Sequence, residues 1–137
     1  MKPLSSSICE GYGSEYRYTI TPAVYEQFLA AFADTNRLHT DDSFAQSRGF
    51  PARVMHGSIL NGFISHFVGV HFPGDASLLH SVHTQFKSPC HLGDEILIAA
   101  TVTHVSAAVG VITLDMDLTN LTRGRLAAKA KVQVGLP

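Results

Sequence analysis

Two short stretches carry the residues that could do chemistry. Asp34-Thr35-Asn36-Arg37-Leu38-His39 places a carboxylate and an imidazole five residues apart at the end of an amphipathic segment. Val54-Met55-His56-Gly57 puts a histidine–glycine step at the start of a long apolar segment. Together they offer a general base, a second proton-handling group and a backbone N–H at a helix start. That set suits proton chemistry beside a carbonyl. The other histidines, His66, His71, His80, His83, His91 and His104, show no ligand spacing of the His-Glu-x-x-His kind. There is no Gly-x-Ser-x-Gly elbow and no phosphate loop. Neither a metal nor a cofactor is expected.

The elements that must position these groups follow from periodicity. Residues 1–13 are expected as a flexible N-terminal tail and residues 14–137 as a single domain. Glu15 to Thr21 alternates aromatic and polar residues, as a strand does. Thr21 then caps a helix with Pro22 at its first position. Val24, Phe28, Ala31 and Phe32 form its apolar face. It should stop near Ala33, which leaves Asp34 to His39 as a polar connection. Asp41 to Ser47 reads as a short helix ended by Gly49. Phe50 to Val54 reads as extended, because Pro51 disfavours the helical region at Phe50. Gly57 to about His71 is the second main helix. Ile59, Leu60, Phe63, Ile64, Phe67 and Val68 cover so much of it that burial on most sides is expected. Phe72-Pro73-Gly74-Asp75 breaks it.

Everything after that reads as strand. Leu78 to Ser88, Glu95 to Val105, Val111 to Leu118 and Leu126 to Val134 alternate, with turns at Leu92-Gly93-Asp94, Ala107 to Gly110 and Asn120 to Gly124. Helices first and antiparallel strands afterwards is an α+β order. An apolar helix needs a sheet to wrap it, and a curved antiparallel sheet around a long central helix is the hot-dog arrangement. Such a sheet leaves an edge strand exposed, so edge-to-edge pairing in a homodimer is expected.

Composition narrows the function classes. Hydrophobic residues make up 45% of the 137 and charged residues 15%, enough for a core and too little charge for disorder. Lys+Arg is 10 against Asp+Glu 11, so there is no basic stripe for nucleic acid and no polybasic membrane segment. Arg123, Arg125, Lys129 and Lys131 gather near the C-terminus and read as the solvated side of a strand. Cys9 and Cys90 make neither a metal nor a redox spacing, which favours a reduced, cytoplasmic setting. Ile59 to Phe72 is too short and too polar to span a bilayer.

The chain resembles the MaoC-like (R)-specific enoyl-CoA hydratases and dehydratases. The resemblance is carried by Asp34 to His39, Ser43-Phe44-Ala45, Gly49-Phe50, His56-Gly57, Pro73-Gly74, Phe86-Lys87-Ser88-Pro89 and Gly93-Asp94-Glu95, in the family's order. It implies reversible hydration of a 2-enoyl thioester of coenzyme A or of an acyl carrier protein. Asp34 and His39 would hold and deprotonate the water. The Gly57 N–H would bind the thioester oxygen, Ser65 on the following helix would help shape the site, and Asn36 would orient the loop. Gly57 and Ser65 are eight residues apart, on roughly one helix face. His56 is read as holding the turn.

One departure is Arg37, where the family usually has Pro. The loop loses a stiffener, and Arg37 is either an ordinary surface residue or a contact for a phosphate of the substrate's carrier. His71-Phe72-Pro73-Gly74 echoes the β-hydroxyacyl carrier-protein dehydratases, but there the histidine precedes the central helix, and here it follows. Residues 57–71 hold no Asp or Glu, which also counts against hot-dog thioesterases with a carboxylate on that helix. A thioesterase and a non-catalytic acyl-thioester-binding protein are the alternatives. Direction, acyl length and carrier are not fixed by these residues.

Overall fold

The computed structural model describes residues 8–136. Five strands, β1 (Gly13–Thr19), β2 (Leu78–Phe86), β3 (Glu95–Ser106), β4 (Val111–Asn120) and β5 (Arg125–Gly135), form one antiparallel sheet in the order β1-β3-β4-β5-β2. The helices are α1 (Pro22–Phe32), α2 (Arg37–Thr40), α3 (Asp42–Ser47) and α4 (Ser58–His66), and a π-helical turn, Phe67–His71, continues α4. The sheet curves around α4, which is the hot-dog fold that the periodicity implies.

Alternation builds the core. Ile96, Ile98, Ala100 and Val102 on β3, Ile112, Leu114, Met116 and Leu118 on β4, and Ala128, Ala130, Val132 and Val134 on β5 all point inward and are buried. They meet Ile59, Leu60, Phe63, Ile64, Phe67 and Val68 of the helix, every one of them buried. Burial on most sides of the helix does not hold, however. Gly62, Ser65, His66, Gly69 and Val70 stay exposed, because a single sheet wraps only one side. The π turn lets Phe72 donate its N–H to the Phe67 carbonyl at 2.9 Å and keeps Phe72 in the core. From β1, beside β3, the Tyr18 ring stacks on Phe63 at 4.7 Å and its hydroxyl meets His66 Nδ1 at 3.0 Å. Burial, with a smaller contribution from Tyr16, pushes the Tyr18 phenol up to about 12.

Some local expectations change. Residues 1–7 of the expected tail lie outside the described residues. Beyond them the chain is held to the sheet: Gly11 N–H donates to the Val102 carbonyl at 2.8 Å and Val102 N–H to the Tyr12 carbonyl at 2.9 Å. Lys129 and Lys131 do lie on the solvated face, beside Asp117 at 3.4 Å and Asp115 at 3.9 Å. Arg123 does not. It sits in the turn after β4 and reaches inward to Asp94. Among the described residues no helix is long and apolar enough to cross a membrane.

Candidate active site

The loop that carries Asp34 begins with an abrupt stop. Ala33 takes the left-handed conformation at φ 52° and donates its N–H to the Leu29 carbonyl at 2.8 Å, which ends α1. Asp34 then accepts only a long bond, 3.3 Å, from the Asn36 N–H. The expected polar connection is partly helical. Asn36 caps α2 by accepting the Leu38 N–H at 3.0 Å, and an Asn at that place is itself a helix-start signal. Its side chain is thereby committed to the backbone that presents His39.

His39 is fixed from three sides. The Tyr25 hydroxyl donates to its carbonyl at 2.7 Å. The Val54 N–H donates to the Leu38 carbonyl at 2.9 Å, and His39 Nδ1–H returns a bond to the Val54 carbonyl at 2.7 Å. A carbonyl only accepts, so Nδ1 carries the proton and Nε2 keeps its lone pair. The ring is therefore a base at Nε2.

His56 ties the two stretches together. It is 3% exposed, and its Nε2–H donates to the Asp34 backbone carbonyl at 2.8 Å. Its ring lies 4.1 Å from that of His39, centroid to centroid, and 4.9 Å from that of Phe28. Its buried Nδ1 has no protein partner among the described residues. One donor atom each of Asp34, His39 and His56 falls within 4.8 Å of the others. Such a trio can gather around a water, and by donor type also around a divalent cation. The spacing rule behind the expectation of no metal set reads only near neighbours in sequence and does not see this cluster.

Gly57 opens α4 beside these groups. Its N–H donates to no protein acceptor among the described residues. A side chain here would crowd the Phe86 ring, which stands 3.1 Å from where a Cβ would lie and would have to give by a few tenths of an ångström. A cavity of about 360 Å³ lies in front of it, lined by His39, Gly57, Ile20, Leu60, Phe86 and Cys90 among others. An apolar hollow with a few converging polar groups is the usual form of a small-molecule site. The Cys90 thiol is pushed up, first by burial and then by the charge of Asp94, so it stays protonated and is a poor nucleophile.

The far wall of the cavity hangs from Asp94. This carboxylate is 1% exposed and accepts from Arg123 Nε at 2.8 Å, Asn120 Nδ2 at 2.7 Å and the His91 N–H at 2.9 Å. Burial alone raises its pKa, but these bonds outweigh it and hold the carboxyl below the usual range. The loop so anchored presents the Cys90 carbonyl to the Met55 N–H at 2.8 Å, which locks the stretch before Gly57 in place.

Of the residues expected at the site, His39 and Gly57 line this cavity, while Asp34 reaches it only through its neighbours His39 and His56 and is not part of the lining. Ser65 does not: it is on the exposed face of α4 and outside the cavity lining. Asp34 borders a second hollow with Phe28, Phe32, Ser58, Asn61 and Gly62 on that open side of the helix. Met55, Cys90 and Phe86 complete the walls. Met55 lies within a stretch that the sequence singles out, but neither its role nor that of Cys90 as wall is marked by residue spacing.

The model of the MaoC-like domain family matches residues 4–121 of this chain. An (R)-specific enoyl-CoA hydratase from Rhodospirillum rubrum is 28% identical over 130 residues, covering 95% of this chain and 89% of that protein. An (R)-specific enoyl-CoA hydratase from Aeromonas caviae is 31% identical over 110 residues, covering 80% of this chain and 81% of the relative. Among solved structures, an (R)-hydratase from A. caviae described as involved in PHA biosynthesis matches with a TM-score of 0.88 at 28% identity, covering 97% of this chain and 100% of that one. With a matched family model across most of its length and the same fold, this chain belongs to the MaoC-like family of hydratases and dehydratases.

Proposed function

We propose that the protein is a hydro-lyase that reversibly hydrates 2-enoyl thioesters to (R)-3-hydroxyacyl thioesters. One observation carries this. The His39 Nδ1–H is committed to the Val54 carbonyl, so its basic Nε2 is left free next to a carboxylate with open lone pairs. A water between Asp34 and His39 loses a proton to His39 Nε2 as its oxygen bonds to the β-carbon. The C=C electrons move toward the thioester oxygen, and the Gly57 N–H, at the positive end of α4, stabilises the charge that builds there. One such donor is worth roughly 3–4 kcal/mol in a transition state. The imidazolium then returns the proton to the α-carbon, so one water is added in full. Dehydration is the same path reversed. Asn36 supports the loop that presents His39.

The substrate is a thioester of coenzyme A or of an acyl carrier protein, and the reduced cysteines favour a cytoplasmic setting. A homodimer fits the open side of the molecule. Edge strand β2 leaves Leu78 63% and Phe86 52% exposed beside the bare face of α4, and a second copy pairing along β2 would cover both.

The test follows loss of enoyl absorbance with crotonyl-CoA. Wild type is expected to turn over without added metal and in the presence of EDTA. His39→Ala is expected to lower kcat by about 10²–10⁴-fold, the usual range for a general base. Full activity in His39→Ala, or abolition by EDTA with rescue by Zn²⁺, would overturn the water-handling reading. Release of free thiol in place of hydration would make the protein a thioesterase, and tight binding without turnover a binding protein.

A further inference from the structure

Arg37 and Arg48 both stack on one ring. The Arg37 guanidinium carbon stands 4.3 Å from the Phe44 centroid and that of Arg48 stands 5.0 Å from it. Stacking uses the face of a guanidinium and leaves its in-plane N–H donors pointing outward. Neither side chain makes an ion pair or a hydrogen bond to another described residue. The acids that could have neutralised them are already engaged. Asp41 accepts the Phe44 N–H at 3.1 Å as the cap of α3. Asp42 accepts the Arg53 N–H at 2.9 Å and pairs with Arg53 Nε at 3.4 Å. Two cations thus share one aromatic support, with their charge unspent, at an exposed site. Holding like charges on one ring costs electrostatic free energy, and an anion between them would recover it.

Their position says which anion. Arg37 and His39 lie on the same short helix, about 3 Å apart along its axis. Arg37 thus stands within one helical turn of His39, which lines the cavity, while neither arginine is part of the lining itself. We infer that Arg37 and Arg48, held on Phe44, form a clamp for the phosphate groups of the pantetheine-bearing handle of the substrate. Planar guanidiniums bind phosphate oxygens with two parallel N–H bonds, which a lysine cannot do. The clamp rests on the thioester reading of the active site and deepens it by naming what grips the far end of the substrate. Its phosphates come either from coenzyme A or from the phosphopantetheine arm of a carrier protein.

The experiment compares crotonyl-CoA, crotonyl-dephospho-CoA, crotonyl-pantetheine and crotonyl on acyl carrier protein, in wild type, Arg37→Ala, Arg48→Ala and Arg37→Lys. The ratio of kcat/KM for the CoA thioester over the pantetheine thioester is expected to fall about tenfold in each alanine variant. Arg37→Lys should fall in between, because charge remains and the fork does not. Dephospho-CoA separates the 3′-phosphate from the pyrophosphate. A fall confined to the carrier-protein substrate supports the clamp and assigns the phosphate to that arm. Unchanged ratios for both substrates in both alanine variants overturn it. If wild type turned over no thioester, the proposed function would fall by itself. Calorimetric binding of CoA would then decide the clamp, which stands if Kd rises about tenfold in the variants and falls if it does not.

Discussion

Asp94 and Asp34 each follow a residue of positive φ, yet they end in opposite surroundings. The Asp94 carboxylate is buried and receives three short hydrogen bonds, one of them from a guanidinium. Asp34 is exposed, receives one bond of 3.3 Å and has no ion-pair partner among the described residues. Its loop is held instead through its backbone, by His56 on its carbonyl. A buried carboxylate that takes three donors on one oxygen can only hold structure. One whose main chain is fixed and whose side chain is free can take up a water and let it go.

Substitution at the two positions should separate these roles, and the largest effect belongs to Asp34. Asp34→Asn is expected to lower kcat on crotonyl-CoA by about 10²–10⁴-fold while leaving the denaturant midpoint near wild type. Asp94→Ala should do the reverse. It strands the Arg123 and Asn120 donors and is expected to cost about 3 kcal/mol of unfolding free energy, read by urea denaturation. Full activity in Asp34→Asn, or a wild-type midpoint in Asp94→Ala, would break the contrast.

The two sites were unequally legible. Periodicity places α4 with its π-helical continuation and their six buried side chains, because apolar residues at helical spacing mark the face that is buried. The pairing of Asp34 with His39 is legible from the motif, and Gly57 from its place before an apolar run. The bonds from His56 to the Asp34 carbonyl and from His39 to the Val54 carbonyl are not legible, since a backbone acceptor has no residue identity. The Asp94 cluster is hidden for another reason. Asp94, Asn120 and Arg123 meet only when the turns at the ends of β3 and β4 come together, and Arg123 taken with its basic neighbours reads as a surface residue. Ser65 shows the opposite error. Spacing puts it in line with Gly57, but the sheet leaves that side of the helix open.

Acid should expose the contrast in wild type. The Asp94 carboxyl lies below its ordinary value of 3.8 in the folded protein. A depressed folded pKa means that the unfolded chain binds the proton first. The stabilisation is therefore complete above the ordinary carboxylate range and is lost as pH falls through the folded value. Unfolding free energy measured from pH 5 downward should decline in wild type more steeply than in Asp94→Asn, where no proton is taken up at this position. Parallel declines would show that Asp94 contributes nothing to the acid limb.

The smallest effect lies one residue upstream of each carboxylate. Gly93 has φ +89° and Ala33 has φ 52°, so the structural loop uses the residue that tolerates this region while the site loop does not. An alanine in the left-handed region carries roughly 1 kcal/mol of steric strain. Ala33→Gly removes that strain but adds conformational freedom to the unfolded chain, so the net gain should be about 0.5 kcal/mol. Gly93→Ala, entering a region more hostile to a Cβ, should cost at least about 1 kcal/mol. Both are read as shifts of the urea midpoint at constant slope. The activity of Ala33→Gly carries the sharper information. Alanine restricts the angle at which the chain leaves α1, and glycine relaxes it, so a fall in kcat with a rise in stability would show that strain at Ala33 helps aim Asp34. A rise in stability with unchanged kcat would assign the aiming of Asp34 to the His56 bond alone.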